Sequence, residues 1–242
     1  MRVLSLWILV FLSWSVTAQE KRMPQPPDYK SIEKITKDNA SDLYYPTLLK
    51  RYLNDDTTLT AKDYHYIYYG YFFNEAYNAI GDVSSFRDSI KVLNNKKVWL
   101  AEDKKSYLKY NLELLKGSPL QPSLLIGVYA AYKELNDEQH AELYRQKCRA
   151  ILETILATGD GLTCGTGYHV LTVSDEYSIL RYLGYKFGES QSLTADECDY
   201  LKLQDNDDHI KGLYFDVKQL FKGYYKMFEG SDMGKDNKAK KK

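Results

Sequence analysis

Between Gly159 and Tyr177 the hydrophobic period of the chain changes from helical to alternating and does not change back. That switch demands two kinds of structure in a fixed order along the polypeptide. Upstream, apolar residues recur at helical spacing. The longest such run, Glu138 to Ala157, stops at Gly159 and Gly161, where glycine supplies the left-handed conformation of a helix C-cap. Downstream, Tyr168 to Val173 alternates like a strand. The expected class is α+β: N-terminal stacked helical hairpins, tetratricopeptide-like, over residues 28–158, followed by a small antiparallel β region over 159–229 packed on their end.

Seven helices are expected before the switch. Asp28 caps one through Thr36, and a second runs from Asp42 or Tyr44 to Leu53 with Pro46 in its first turn. Thr60 and Asp63 form a capping box for a third, whose Tyr64, Ile67, Tyr68, Tyr71 and Phe72 make one apolar stripe and leave Tyr66 and Tyr69 on other faces. A fourth spans about 84–95, and a fifth ends at Gly117-Ser118-Pro119. Pro122 opens a sixth, and Asp137 caps a seventh. The linker Leu135-Asn136-Asp137 forces the last two into an antiparallel pair with small Ala141 at their approach, which resembles the helical hairpin of tetratricopeptide repeats.

After the switch, Glu176 to Leu183 reads as either a strand or a short helix, and Leu193 to Glu197 as a helical turn capped by Thr194. Tyr200 to Leu203 and Leu213 to Val217 are strands around the polar turn at 205–208, and Lys218 to Phe228 is ambiguous. Residues 230–242 form a lysine-ended tail expected to be disordered.

The N-terminus carries an address. Arg2, the apolar run Val3 to Val16 and the small residues around Ala18 make a signal peptide over 1–18, with an extended, proline-rich leader over 19–27. The expected localisation is export, periplasmic or extracellular, with no membrane span left in the mature chain. Of 33 basic and 33 acidic residues, cleavage removes only Arg2, and the remaining 32 against 33 argues against nucleic acid as a partner. Cys148, Cys164 and Cys198 allow one disulfide at most. Cys148 falls on an apolar helix face, so Cys164 and Cys198 are the pair if a bridge exists.

Few chemical motifs survive inspection. The glycines at 159, 161, 165 and 167 follow a helix instead of opening one, the reverse of a phosphate loop, so no nucleotide cofactor is expected. Asp205, Asp207, Asp208 and His209 lack the glycine and distal glutamate of a calcium loop, and no histidine has a zinc-pair spacing, so no metal is expected. Cys164 and His169 with Glu176 (or Asp175) supply a nucleophile, a base and an orienting carboxylate, the set a thiol hydrolase needs. The other unusual feature is tyrosine, 23 in all. A flat apolar ring with a polar tip suits recognition of a protein, peptide or glycan, and Tyr66 and Tyr69 are the candidate contact residues.

Several segments, among them Pro27-Asp-Tyr-Lys-Ser-Ile32, Tyr66-Ile-Tyr-Tyr-Gly-Tyr71, Gly159-Asp-Gly161, Tyr168-His-Val170, Asp175-Glu-Tyr177 and Tyr214-Phe-Asp-Val217, resemble the family called domain of unknown function 4919. The resemblance covers nearly all of the mature chain. It implies an exported protein of a Gram-negative gut bacterium and brings no activity or catalytic residue with it. The expected function is a non-catalytic binding or scaffold module using a tyrosine-rich helical face. The alternative is a hydrolase with a Cys164/His169 site at the glycine-rich turn.

Overall fold

In the computed structural model, which describes residues 25–80 and 85–228, helices begin where the sequence supplies caps. The Asp28 carboxylate accepts the Ser31 N–H at 3.1 Å and opens α1 (Tyr29–Lys37). Pro46 sits in the first turn of α2 (Tyr45–Leu53). Thr60 and Asp63 bond reciprocally at the start of α3 (Ala61–Gly70). Helices α4 (Ser85–Asn94), α5 (Ala101–Gly117), α6 (Pro122–Glu134) and α7 (Glu138–Leu156) complete the helical part. They pack α4 on α5, α5 on α6 and α6 on α7, while α3 lies against α7 and carries α1 and α2. The signal peptide lies outside the described residues, as does all of the tail.

The stripe expected on α3 is only part of what that helix buries. Ile67, Tyr68, Tyr69 and Gly70 are all buried in succession, so the second half of α3 is enclosed on every side. Tyr69, expected on an open face, is fully buried, and its hydroxyl donates to the His169 carbonyl at 3.1 Å. The cause is tertiary: α1 covers α3 on one side and the chain after the switch covers it on the other.

At the switch, glycine is required by close approach. A Cβ on Gly159 would lie 2.1 Å from the Thr166 carbonyl oxygen, and Gly161 has φ +69° with its Cβ position 2.5 Å from the Tyr168 ring. The amides of Asp160 and Gly161 both donate to the Thr166 carbonyl, which closes the turn. The chain then forms β1 (Tyr168–His169), α8 (Val173–Tyr182), β2 (Phe187–Leu193), β3 (Cys198–Leu203), β4 (Gly212–Asp216) and α9 (Lys218–Phe228). The sheet runs β1-β4-β3-β2, with β1 parallel to β4 and the other two pairs antiparallel.

Several expectations for this region are corrected. The sheet is mixed, not antiparallel throughout. The strand expected over Tyr168 to Val173 ends after two residues, because the Thr172 N–H donates to Asp175 and starts α8, which settles the choice between strand and helix at 176–183. The ambiguous segment 218–228 is α9. Strand β2 had no alternating signal, since its FGESQSL sequence lies at the sheet edge and is mostly exposed. The helical turn expected at Leu193 to Glu197 is instead the β2–β3 turn, where the Thr194 hydroxyl accepts the Cys198 N–H. One hydrophobic core joins both parts, running from Ile32 and Leu48 through Val128 and Ile151 to Val170, Phe215 and Leu220.

Candidate functional site

The tyrosines on which a binding face was expected divide into packing and display. On the helical layer, Tyr52 of α2 is buried, with its hydroxyl donating to the Pro119 carbonyl at 2.9 Å, and Tyr64 of α3 meets its ring edge-on at 6.1 Å. The Lys147 ammonium of α7 lies 4.6 Å from the centre of the Tyr52 ring and 5.5 Å from that of Tyr144. It bonds to the Asp55 carboxylate. Asp55 reaches this position from the turn after α2 with φ +60°, an uncommon conformation for a non-glycine residue. From there the rings continue outward. Tyr144 stacks on Tyr132 of α6 at 5.7 Å, and Tyr132 on His140 at 5.0 Å. Asp137, the cap of α7, fixes the imidazole through Nδ1 at 2.7 Å.

The row therefore grades from a buried end at Tyr52 to an open end at His140, whose side chain is 52% exposed. Burial raises the Tyr52 phenol well above its ordinary pKa, helped by Tyr64. Burial, then Tyr132 and Asp55, push Tyr144 up to about 12. These phenols stay neutral donors, suited to stacking and hydrogen bonding and without nucleophilic character. Sequence reading missed the row. The legible signal was His140, Tyr144 and Lys147 at i, i+4 and i+7 on α7, facing Tyr132 across a three-residue linker. Along the opposite, outward side of α2 from Tyr52, an open groove of about 510 Å³ is lined by Pro46, Lys50, Arg51 and Asp56. Its Arg51 is tied to Asp56 at 2.7 Å.

The residues proposed for chemistry are distributed differently. Cys164 is bonded to Cys198, with the two Cα atoms 5.6 Å apart, and the pairing joins the glycine-rich turn to β3. Its sulfur is thus occupied. His169 is mostly buried on β1, with Nδ1 3.9 Å from Asp216 Oδ1, beyond hydrogen-bond reach. Burial holds the imidazole below its ordinary pKa, opposed by Asp216 and assisted by Lys218. Tyr66 is half-buried, its ring against His65 at 5.5 Å.

Glu176 is fully buried on α8, and neither of its carboxyl oxygens has a hydrogen-bond partner. Burial, then Asp199 and Asp175, push it up to about 9, so it is a neutral acid at pH 7. Asp175, one position earlier, faces the other way. It accepts the Tyr68 hydroxyl at 2.8 Å beside a cavity of about 20 Å³, the size of one water molecule, lined also by Tyr71, Asn78, Gln121 and Thr172. Burial pushes Asp175 up to about 6 against those hydrogen bonds. No hydrogen bond links Cys164, His169 and Glu176 to one another among the described residues.

A family model described as domain of unknown function, DUF4919, matches residues 30–226. The chain belongs to that family. No curated protein and no solved structure matches it. The match spans the helical layer, the sheet and most of α9, so the aromatic row and the carboxyl pair of α8 both lie inside the family domain. Among the described residues no helix is long and apolar enough to cross a membrane, and no group of three or more histidine, cysteine, aspartate or glutamate side chains could hold a metal ion.

Proposed function

We propose that this DUF4919 protein is an exported, non-catalytic binding or scaffold module whose contact face is the open end of the aromatic row. The observation that carries the reading is the stack of Tyr144, Tyr132 and His140 across α6 and α7, held from beneath by Lys147 and Asp55. Rings fixed in this way lose little entropy on binding, and they offer flat faces to a sugar ring or a peptide side chain. Export is supported by the Cys164–Cys198 bridge, because disulfides persist in oxidising compartments. The helical layer is read as tetratricopeptide-like hairpins, supported by the serial packing of α4 through α7 and by buried Ala141 in α7.

The test is a titration of the chain with a panel of soluble oligosaccharides and unstructured peptides, followed by proton resonances of the aromatic side chains. Binding should shift Tyr132, Tyr144 and His140 first, and Tyr132→Ala should abolish it without unfolding the chain. Shifts centred on His169 and the glycine-rich turn, or cleavage of any panel member, would contradict the proposal.

A further inference from the structure

The two most exposed large apolar side chains among the described residues are Val98, 75% exposed, and Leu100, 70% exposed. They stand on either side of Trp99 in the connection between α4 and α5. That connection is anchored. The Trp99 indole N–H donates to the Leu93 carbonyl at 2.8 Å, its ring packs 4.6 Å from that of Tyr107, and Lys96 bonds to Asp103 at 2.7 Å. Leu100 is also the N-cap of α5, where its side chain makes no capping bond. A serine, threonine, aspartate or asparagine would accept an amide hydrogen there, as Thr60 does for α3 and Asp137 for α7. The leucine forgoes a cap and buries little, a local rule broken with no gain to the fold, as happens at functional positions.

This tip lies at the same end of the helical layer as the open end of the aromatic row. Lys104, in the first turn of α5, donates to the Glu134 carbonyl at 3.1 Å and pairs with the Glu134 carboxylate at 2.8 Å. The start of α5 is thereby tied to the end of α6, two residues beyond Tyr132, and His140 follows in the first turn of α7. Neighbouring helices pack about 8 to 10 Å apart, so the tip and the row stand roughly 10 to 20 Å from each other. The charged side chains around them pair off, Lys96 with Asp103, Lys104 with Glu134 and Lys133 with Glu138. Such pairing leaves little field to draw in a polyanion or a charged lipid surface.

We infer that the ligand of the aromatic row is a polypeptide segment, not a glycan, and that it crosses from the row onto the tip formed by Val98 and Leu100. The inference rests on the reading of the row as a contact face. A ring at Tyr132 or His140 serves a sugar and a peptide alike, but aliphatic side chains separate the two. Val98 and Leu100 offer a sugar hydroxyl no hydrogen bond and would strip it of water at a cost, whereas against the apolar side chains of a peptide their burial is favourable. An extended chain advances about 3.3 Å per residue, so about six residues join the two contacts. The partner is then an extended segment with an aromatic side chain for the row and aliphatic side chains about six positions away for the tip. Both contacts are held in place before binding, which limits the entropy lost when the segment docks.

The experiment selects a displayed library of random peptides, each about twelve residues long so as to span both contacts, on the immobilised chain beginning at Gln19. Selected peptides are then titrated against variants, with soluble oligosaccharides titrated in parallel. Peptides carrying an aromatic and an aliphatic residue about six positions apart should be enriched. Tyr132→Ala should abolish their binding, and Val98→Ser with Leu100→Ser should weaken it by about tenfold or more. Thermal unfolding of that double variant should match the parent or lie slightly above it, since both side chains are exposed and serine can cap α5. Peptide binding that needs Tyr132 but survives the double variant in full overturns the inference and leaves the contact face standing. Tyr132-dependent binding of oligosaccharides alone does the same. Absence of any binding that depends on Tyr132 overturns the contact face and the inference with it.

Discussion

Glu176 has surroundings that depart far from what water would offer it. A buried carboxyl with no partner is tolerated only in its neutral form, and the proton it keeps makes the fold sensitive to pH. Its folded-state value lies at about 9 against an ordinary 4.5. Between those limits the folded chain holds a proton that the unfolded chain has released. Stability therefore falls as pH rises through that window, by about 1.4 kcal/mol per pH unit, and levels off above it. Glu176→Gln keeps the shape and removes the titration. Urea unfolding at pH 5 and pH 8 should show a much smaller loss for Glu176→Gln than for the parent, and parallel losses would contradict the burial described. Tyr68 is tied to the neighbouring carboxyl of α8, donating to Asp175 and accepting the Leu171 N–H at 3.1 Å. Tyr68→Ala should cost about 3 to 5 kcal/mol, against under about 1 for half-buried Tyr66→Ala. Equal costs would contradict the packing of α3.

At the scale of elements, the helices were legible because their ends are written locally. Asp28, Thr60 with Asp63, Pro122 and Asp137 each sit where they cap or open a helix. The glycine C-cap expected for the last of the series is corrected: α7 ends at Leu156 with Ala157 as a right-handed cap, and Gly159 and Gly161 serve the turn that follows. What was not legible depends on partners distant in sequence. Strand β2 is identifiable only through its pairing with β3, and β1 is two residues long because Asp175 captures the next turn for α8. Tyr69 was assigned to an open face because periodicity reports only one helix, whereas burial there comes from elements on both sides. Of the candidate site, the tyrosine content was visible, but the row formed by Tyr132, His140 and Tyr144 requires α6 and α7 to be laid side by side. The turn at the switch yields its own expectation. Gly159→Val and Gly161→Val should each destabilise by more than about 1 kcal/mol, the first by clash with the Thr166 carbonyl and the second by its positive φ. Thermal melts that superimpose on the parent would contradict this.

For the molecule as a whole, the helical layer and the mixed sheet share one core, and the Cys164–Cys198 bridge ties the joint between them to β3 across a separation of 34 residues. A loop of that size confers about 3 to 4 kcal/mol when closed, so Cys164→Ser should lower the unfolding midpoint markedly, and unchanged stability would argue against the bridge. The same bond separates a structural joint from a thiol-based active site, which makes it the point on which the account turns. Native, unreduced chain should be treated with iodoacetamide at neutral pH, digested and mapped by mass. The expected result is a cross-linked Cys164–Cys198 peptide, no alkylation of Cys164, and alkylation of Cys148 only after unfolding, since that thiol is buried and pushed up to about 11 by its apolar surroundings. Rapid alkylation of Cys164 in the folded chain, lost in His169→Ala, would contradict the account and establish a reactive thiol at the glycine-rich turn.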